Sequence, residues 1–173
     1  MRITPHFTLG EMTKSQTALR LGLDNDPESD VIASLRALCE QVLEPIREHY
    51  DRPVIVTSGF RALAVNKAIG SRATSQHIKG EAADIEIPGV DNLEIYYWTA
   101  ANLDFDQLIL EYYSGEPSSG WVHVSHVGRS NRKQTLRIDK SGVTRETLPA
   151  TKLDDRPRRS VRAPRTGSAQ VER

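Results

Sequence analysis

The sequence predicts an α+β fold in which N-terminal helices pack on a small, mainly antiparallel sheet. Three observations carry this prediction: helical periodicity in the first third of the chain, short apolar strand-like segments after it, and helical insertions between those segments. The periodicity is seen in apolar residues that recur at spacings of three and four, namely Val31, Leu35, Leu38, Val42 and Ile46.

Capping and breaking residues place the helices. Asp26 followed by Pro27 has the form of an N-cap and first helical position, so the long helix is predicted to begin there. Pro45 lies within the periodic segment and is expected to kink or end the helix nearby. Two further helices are predicted over residues 63–69, closed by Gly70, and over residues 92–103.

The strands are predicted from short apolar segments bounded by turn residues. A glycine- and serine-rich loop, 112–120, separates two of them, and another loop, 71–81, precedes the second strand. The predicted strands cover residues 53–57, 82–87, 105–112 and 121–127, followed by a hairpin formed by 134–138 and 143–145.

Charge and composition divide the chain into two parts. Residues 150–173 hold seven Lys and Arg against three acids, whereas residues 1–149 hold 16 basic and 20 acidic residues. The C-terminal part is rich in arginine and proline and poor in apolar residues, which is typical of disorder. We therefore expect one folded domain over 1–149 and a disordered tail over 150–173.

The chain has neither an apolar segment of the ~20 residues needed to span a bilayer nor the apolar core of a signal peptide at its N-terminus. These features predict a protein that is cytoplasmic as synthesised. Cys39, the single cysteine, lies in the helical pattern and is expected to be a buried, inert thiol.

Three residues have the chemistry of a catalytic zinc site. His77 and Asp84 flank a segment of glycine and small residues, and His123 lies in the apolar segment Trp121–Ser125. Two imidazoles and one carboxylate leave the fourth tetrahedral position open for water. Gly80 and the alanines after it would let the backbone turn tightly and direct Asp84 towards His77. The alternative is a histidine and an aspartate that merely share a surface hydrogen bond.

The same residues resemble the zinc D-Ala-D-Ala peptidase family, and in particular its carboxypeptidase-like group common in bacteriophages. The resemblance runs from about Phe7 to about Thr147 and rests on motifs at 58–61, 77–84 and 121–125. It implies one Zn²⁺ per chain held by His77, Asp84 and His123, and peptidoglycan stem peptides as substrate.

The resemblance also implies catalytic roles, with one departure. Arg61 is expected to face the substrate and stabilise the oxyanion or bind a carboxylate, unless it is a surface arginine that caps its loop. Many members of the family carry a glutamate three residues before the last histidine ligand, where this chain has Gly120. Glu111 is the predicted substitute for the general base, provided that its strand pairs with the strand of His123. Otherwise Glu111 is a solvated acid at a strand end.

Other residues complete the predicted site. His126 is a weaker catalytic candidate, because strand alternation puts it on the face opposite His123 unless the strand bulges. Ser75, Gln107 and Trp121 are predicted to contact substrate, with Gln107 also able to support Glu111. Ser75 and Ser125 are expected to be hydrogen-bonding residues rather than nucleophiles, because the chain has no G-x-S-x-G turn.

We therefore expect a zinc-dependent D-Ala-D-Ala carboxypeptidase or stem-peptide endopeptidase, a phage or prophage lysin that acts on the wall after lysis or as part of a virion. The alternative is a non-catalytic, metal-containing component that binds the wall or forms part of a phage particle, with other virion proteins as its partners. Nucleic-acid binding is disfavoured because the folded part is acidic and the basic tail lacks interleaved aromatic residues.

Overall fold

A computed structural model describes residues 1–147 and contains six α-helices and six strands within that range. The predicted tail over 150–173 lies outside the described residues. It also contains a π-helical turn, Cys39–Leu43, and a 3-10 turn, Gln76–Lys79. The helices are α1 Leu9–Thr13, α2 Gln16–Leu21, α3 Ser29–Leu38, α4 Glu44–Tyr50, α5 Leu63–Ala68 and α6 Asn92–Asn102. The strands are β1 Ile55–Ser58, β2 Ala82–Glu86, β3 Gln107–Glu111, β4 Trp121–Ser125, β5 Gln134–Asp139 and β6 Gly142–Arg145.

The six strands form one sheet in the order β1-β2-β4-β3-β5-β6. All neighbouring strands are antiparallel except β3 and β5, which run parallel. The predicted α+β class, the mainly antiparallel sheet and the hairpin of β5 and β6 are therefore confirmed. The loop 112–120 joins β3 directly to β4, which brings Glu111 and Trp121 opposite each other.

The pleat of the central strands separates a core face from a polar face. Alternate residues of β2, β3 and β4 enter the hydrophobic core with side chains from α3, α4 and α6, and the residues between them point the other way. The core-facing residues of these strands are Ala83, Ile85, Leu108, Leu110, Val122 and Val124. Because side chains alternate, Asp84, Ile109 and His123 share the opposite face.

The long helical segment differs from the prediction at its start. It begins at Ser29 with Glu28 as N-cap, two residues later than Asp26 and Pro27 suggested. Asn25 accounts for the delay, because its side chain donates to the carbonyls of Thr13 and Phe60 and accepts from the Ala62 amide. These three hydrogen bonds hold the segment before α3 extended.

Pro45 coincides with a local change of helix geometry, and the helical path neither ends there nor needs to. The π-helical turn Cys39–Leu43 lies immediately before it, and Pro45 then occupies the first turn of α4. A proline lacks a backbone N–H and clashes with the preceding turn, and the wider π turn relieves both problems without ending the helical path. Cys39 is fully buried in this turn, and burial raises the pKa of its thiol to about 12, as expected of an inert thiol.

Within residues 1–147, no helix is both long and apolar enough to cross a membrane.

Candidate metal centre and active-site cleft

His77, Asp84 and His123 converge on the polar face of the sheet. Asp84 and His123 are direct cross-strand neighbours on β2 and β4, with 2.8 Å between Asp84 Oδ1 and His123 Nδ1. His77 reaches the same point from the 3-10 turn: its Nε2 lies 3.3 Å from Asp84 Oδ1 and 3.2 Å from His123 Nδ1. The structure thus brings the three predicted ligands together, two of them as a consequence of strand register.

Two glycines allow His77 to reach this position. Gly59 contributes its carbonyl, which accepts a hydrogen bond of 2.7 Å from His77 Nδ1. A Cβ on Gly59 would lie 2.2 Å from the Met12 carbonyl oxygen, so no larger residue fits there. Gly80 ends the 3-10 turn with a φ of 69° and packs against Val31 and Leu35 of α3. The turn that carries His77 therefore contacts the segment after β1 on one side, through Gly59, and α3 on the other, through Gly80.

The three donor atoms fit a tetrahedral zinc ion. Ligands about 2.1 Å from zinc lie roughly 3.4 Å apart in a tetrahedral site, close to the 2.8–3.3 Å found between these atoms. The bond from His77 Nδ1–H to the Gly59 carbonyl leaves Nε2 with its lone pair directed at the centre, the supporting contact that metal-bound histidines commonly make. Among residues 1–147, these three form the one cluster of histidine, cysteine and acidic groups with metal-ligand spacing.

Local electrostatics favour the ligand forms of these residues. His77 is only 2% exposed, and burial lowers the pKa of its imidazole and keeps it neutral. Burial opposes ionisation of Asp84, but the neighbouring histidines outweigh it and hold the pKa of that carboxyl well below its usual range. A neutral imidazole and an ionised carboxylate are the forms that bind a divalent cation.

Arg61 lies beside the cluster and is connected to it through both backbone and side chain. Its backbone amide donates to the His77 carbonyl at 3.2 Å, and its Nη2 lies 3.8 Å from Asp84 Oδ2. Its Nε is buried and has no hydrogen-bond partner among the described residues. Burial lowers the pKa of the guanidinium, while Asp84 and Glu111 oppose that shift. The Arg61 guanidinium is thus held beside the candidate metal centre, and its Nε–H makes no hydrogen bond to the described residues.

Glu111 points into the same cleft from β3. It pairs with Trp121 across the sheet, and Trp121 lies two residues before His123 on the same strand face. Burial, followed by the negative charge of Asp84, raises the pKa of the Glu111 carboxyl, and His123, Trp121 and Arg61 act in the opposite direction. A partly buried carboxyl with a raised pKa beside a metal centre has the properties of a general base.

Gly120 explains why the carboxylate comes from β3. Its φ is 65°, and a Cβ at this position would lie 1.9 Å from the Glu111 carbonyl oxygen and 2.7 Å from the Tyr112 carbonyl carbon. Tyr112 itself has a positive φ of 53°. The β3–β4 connection therefore turns so tightly that a glutamate three residues before His123 would not fit, whereas Glu111, in the last paired row of β3 and β4, lines the cleft.

The cleft has a volume of about 690 Å³ and contains the three remaining residues predicted to bind substrate. Ser75 lies at its rim and Trp121 at its wall. Gln107 lines it too, but its side chain donates to Gln134 Oε1 at 2.6 Å rather than supporting Glu111. Ser125 is fully buried beneath it and bonds the Gln107 backbone, in keeping with a hydrogen-bonding role.

His126 is not brought to the cleft with the other predicted residues. β4 ends at Ser125, and the His126 amide donates to the Glu81 carbonyl at 2.9 Å. The side chain is buried, and burial lowers the pKa of its imidazole. His126 lies beyond the end of the strand and is not among the residues that line the cleft, so its predicted catalytic role has no geometric support.

Sequence reasoning missed two groups of cleft residues. Ile109, Leu136 and Ile138 form an apolar floor on the polar face, and Arg72 and Arg132 supply positive charge. The floor could be read from strand alternation once the register of β3 and β5 was known. Arg132 comes from an irregular loop, for which the sequence gives no positional signal.

Comparison with known proteins agrees with this geometry. A sequence model of the peptidase M15 family matches residues 5–125, which include all three candidate metal ligands, Arg61 and Glu111. No curated protein matches the chain. The match covers more than two thirds of the sequence and coincides with the cleft and its converging ligands. The chain therefore belongs to the peptidase M15 family of zinc D-Ala-D-Ala peptidases.

Proposed function

We propose that this protein hydrolyses peptide bonds in the stem peptides of bacterial peptidoglycan, as a carboxypeptidase or an endopeptidase. The observation that carries the proposal is the placement of Glu111 on the same sheet face, and in the same cleft, as His77, Asp84 and His123. Family membership supports zinc-dependent peptidase chemistry on cell-wall peptides in general. The choice of stem peptides as the substrate is our inference from the sequence resemblance and from the cleft that contains these residues.

The residues divide the chemistry between them. His77, Asp84 and His123 would hold zinc, which when bound acidifies a water molecule and polarises a carbonyl group. Glu111 accepts the proton of the attacking water on its carboxylate and delivers it to the leaving amine. Arg61, which lines the cleft with its Nη2 3.8 Å from Asp84 Oδ2, donates hydrogen bonds from its guanidinium to the negative charge that develops on the substrate oxygen.

Glu111 also weighs against a purely structural role. The alternative of a non-catalytic wall-binding or virion component arises because Gly120 stands where many family members have a glutamate. In this fold, however, a carboxylate with a raised pKa reaches the cleft from β3 instead. Partial burial of this carboxylate costs free energy, which supports a role for Glu111 in the cleft.

The setting of a phage or prophage lysin stays part of the proposal. It rests on the sequence resemblance to the carboxypeptidase-like group of the family. Under this proposal the enzyme meets its substrate after the host membrane is breached, or when a virion carries it to the wall.

The decisive experiment is mass analysis of muropeptides after digestion of purified cell walls. The zinc-loaded protein should release defined peptide fragments or D-alanine, and a chelator should stop the reaction until zinc is restored. Glu111→Gln, which keeps the ligands, serves as the inactive control. If protein that contains one zinc per chain binds the wall but releases no new muropeptide, the structural alternative is favoured.

A further inference from the structure

A buried acid organises one end of the cleft. Asp106 is 3% exposed and accepts a hydrogen bond from the Arg132 backbone amide at 3.1 Å and one from Arg132 Nε at 2.9 Å. Its Oδ2 also accepts from Arg132 Nη2 and, at 2.9 Å, from Gln76 Nε2. Gln76 immediately precedes His77, so Asp106 links the loop of Arg132 to the turn that carries a metal ligand.

Arg132 is held by Asp106 but not hidden by it. Its side chain remains 55% exposed and lines the cleft, which leaves guanidinium N–H groups directed to solvent. An arginine that only fastened its loop would have no need to face the cleft. When a guanidinium is already held by one buried carboxylate, it loses little further conformational entropy on binding a second carboxylate, because its planar group is already oriented.

Arg72 adds a second cation to the cleft, from the loop that leads into Gln76. It is exposed, lines the cleft, and makes no side-chain hydrogen bond or ion pair to any residue in 1–147. Its backbone carbonyl is fixed by Asn66, whose fully buried side chain donates to it at 2.8 Å. Both arginines are therefore presented by backbone that buried polar groups hold in place.

The opposite end of the cleft differs in character. Residues pair across β3 and β5 from Gln107 and Gln134 at the arginine end to Glu111 and Ile138 at the other. The end with Glu111 is bordered by Ile138 and by Val143, which is 65% exposed. The cleft thus runs from a cationic end to an apolar end, with the metal ligands beside its middle row.

We propose that Arg132, oriented by Asp106, forms with Arg72 a subsite that binds a carboxylate of the substrate peptide and selects for anionic substrates. This inference rests on the proposed function and goes beyond it by giving the substrate a charge requirement and a direction in the cleft. The carboxylate is either the C-terminal group of the peptide or one along its length. Asp106 acts as a positioning residue through Arg132.

The test measures kcat/KM on four soluble stem-type peptides: the free acid, the C-terminal amide, the peptide with its internal carboxylate amidated, and the doubly amidated form. Wild-type protein should cleave one of the single amides at least ~10-fold less well than the free acid, the scale of a lost charge-assisted hydrogen bond. The single amide whose kcat/KM falls identifies the carboxylate that the subsite binds. The preference is the kcat/KM of the free acid divided by that of the affected amide. In Arg132→Gln this ratio should fall to about twofold or less, and in Arg132→Lys it should be partly restored.

Lys133→Gln is the matched control. It removes a positive charge from the neighbouring residue, whose side chain is 64% exposed, pairs with Asp104 and does not line the cleft. The Lys133→Gln variant should prefer the free acid as strongly as the wild type does. Arg72→Gln should weaken this preference, as Arg132→Gln does. Zinc content should be one per chain in every variant.

The outcomes separate the subsite from the proposed function. No cleavage of any peptide or of cell wall by zinc-loaded wild type would end the proposed function. Cleavage without preference among the four peptides, or a preference that Arg132→Gln leaves intact, would overturn the subsite alone. An equal loss on all four peptides in Arg132→Gln would assign Arg132 a structural role and would likewise overturn it.

Discussion

The α-carbon of Gly120 packs against the carbonyl oxygen of Glu111, so closely that a Cβ on Gly120 would lie 1.9 Å from that oxygen. The contact lies three residues before His123, at the turn that leads from Glu111 into β4. The backbone of this tight turn leaves no space for a side chain at residue 120.

Replacement of Gly120 should therefore damage both stability and catalysis. Gly120→Ala should lower the free energy of unfolding by about 2 kcal/mol or more, because backbone atoms of Glu111 and Tyr112 must move. Gly115→Ala in the same loop is the control. Its φ is also positive, at 100°, but no atom lies within 4 Å of the added Cβ, so it should cost only about 1 kcal/mol. Denaturant titration of the two variants measures the difference, and equal costs would refute the steric explanation.

Removal of either imidazole should abolish metal binding. His77→Ala and His123→Ala each leave two ligands, too few to hold zinc, so metal analysis should fall from one zinc per chain to near zero and wall lysis should stop. His126→Ala provides a histidine control three residues from His123. We expect it to keep zinc and activity, because His126 does not line the cleft. An inactive His126→Ala that is folded and zinc-loaded would restore that residue to the mechanism.

Glu111 should be needed for turnover but not for metal binding. Glu111→Gln keeps the size of the side chain and removes the proton acceptor, and kcat should fall ~10²-fold or more while zinc stays bound. Glu116→Gln, at an exposed acid in the β3–β4 loop, should behave as wild type. Steady-state kinetics on a soluble peptide decide the question. Near-normal turnover in Glu111→Gln would mean that another group is the base.

The same substitution should change how stability depends on pH in the metal-free protein. Burial and the charge of Asp84 raise the pKa of Glu111, so the folded chain binds this proton more tightly than the unfolded chain does. The resulting contribution to stability is present below the unfolded pKa of about 4.3 and is lost as pH rises through the folded pKa. The melting temperature of Glu111→Gln relative to wild type should therefore increase from pH 4 to pH 8 in the presence of chelator. A constant difference across this range would show that Glu111 ionises as it does in water.

The basic segment over 150–173 should affect wall association rather than folding. It contains seven Lys and Arg against three acids and few apolar residues, so truncation after Pro149 should leave the melting temperature nearly unchanged. Wall pull-down at low salt should weaken on truncation, and the difference should vanish at high salt because exposed charges are screened over ~8–10 Å. Loss of soluble-peptide turnover on truncation would place the domain boundary further along the chain.

The sequence by itself determined the fold class and the three candidate metal ligands. The spacing of apolar residues is a local property of the sequence, and periods of 3.6 and 2 residues predict the helical segment of α3 and α4 and the central strands. His77, Asp84 and His123 were identified from residue chemistry and the small residues around Gly80, since only a few side chains bind zinc and a tight turn needs glycine. The start of α3 was misplaced because Asn25 holds the preceding segment through partners 12, 35 and 37 residues away.

Tertiary structure alone decided which other side chains meet the ligands. Register across β3 and β4 placed Glu111 in the cleft, and the end of β4 at Ser125 left His126 outside it. The Arg132–Asp106–Gln76 network joins three loops and strand ends that are 26 to 56 residues apart in the chain, so no local pattern could reveal it. Contacts of this kind depend on how the sheet is ordered, and strand order is set by the packing of the whole core rather than by any one segment.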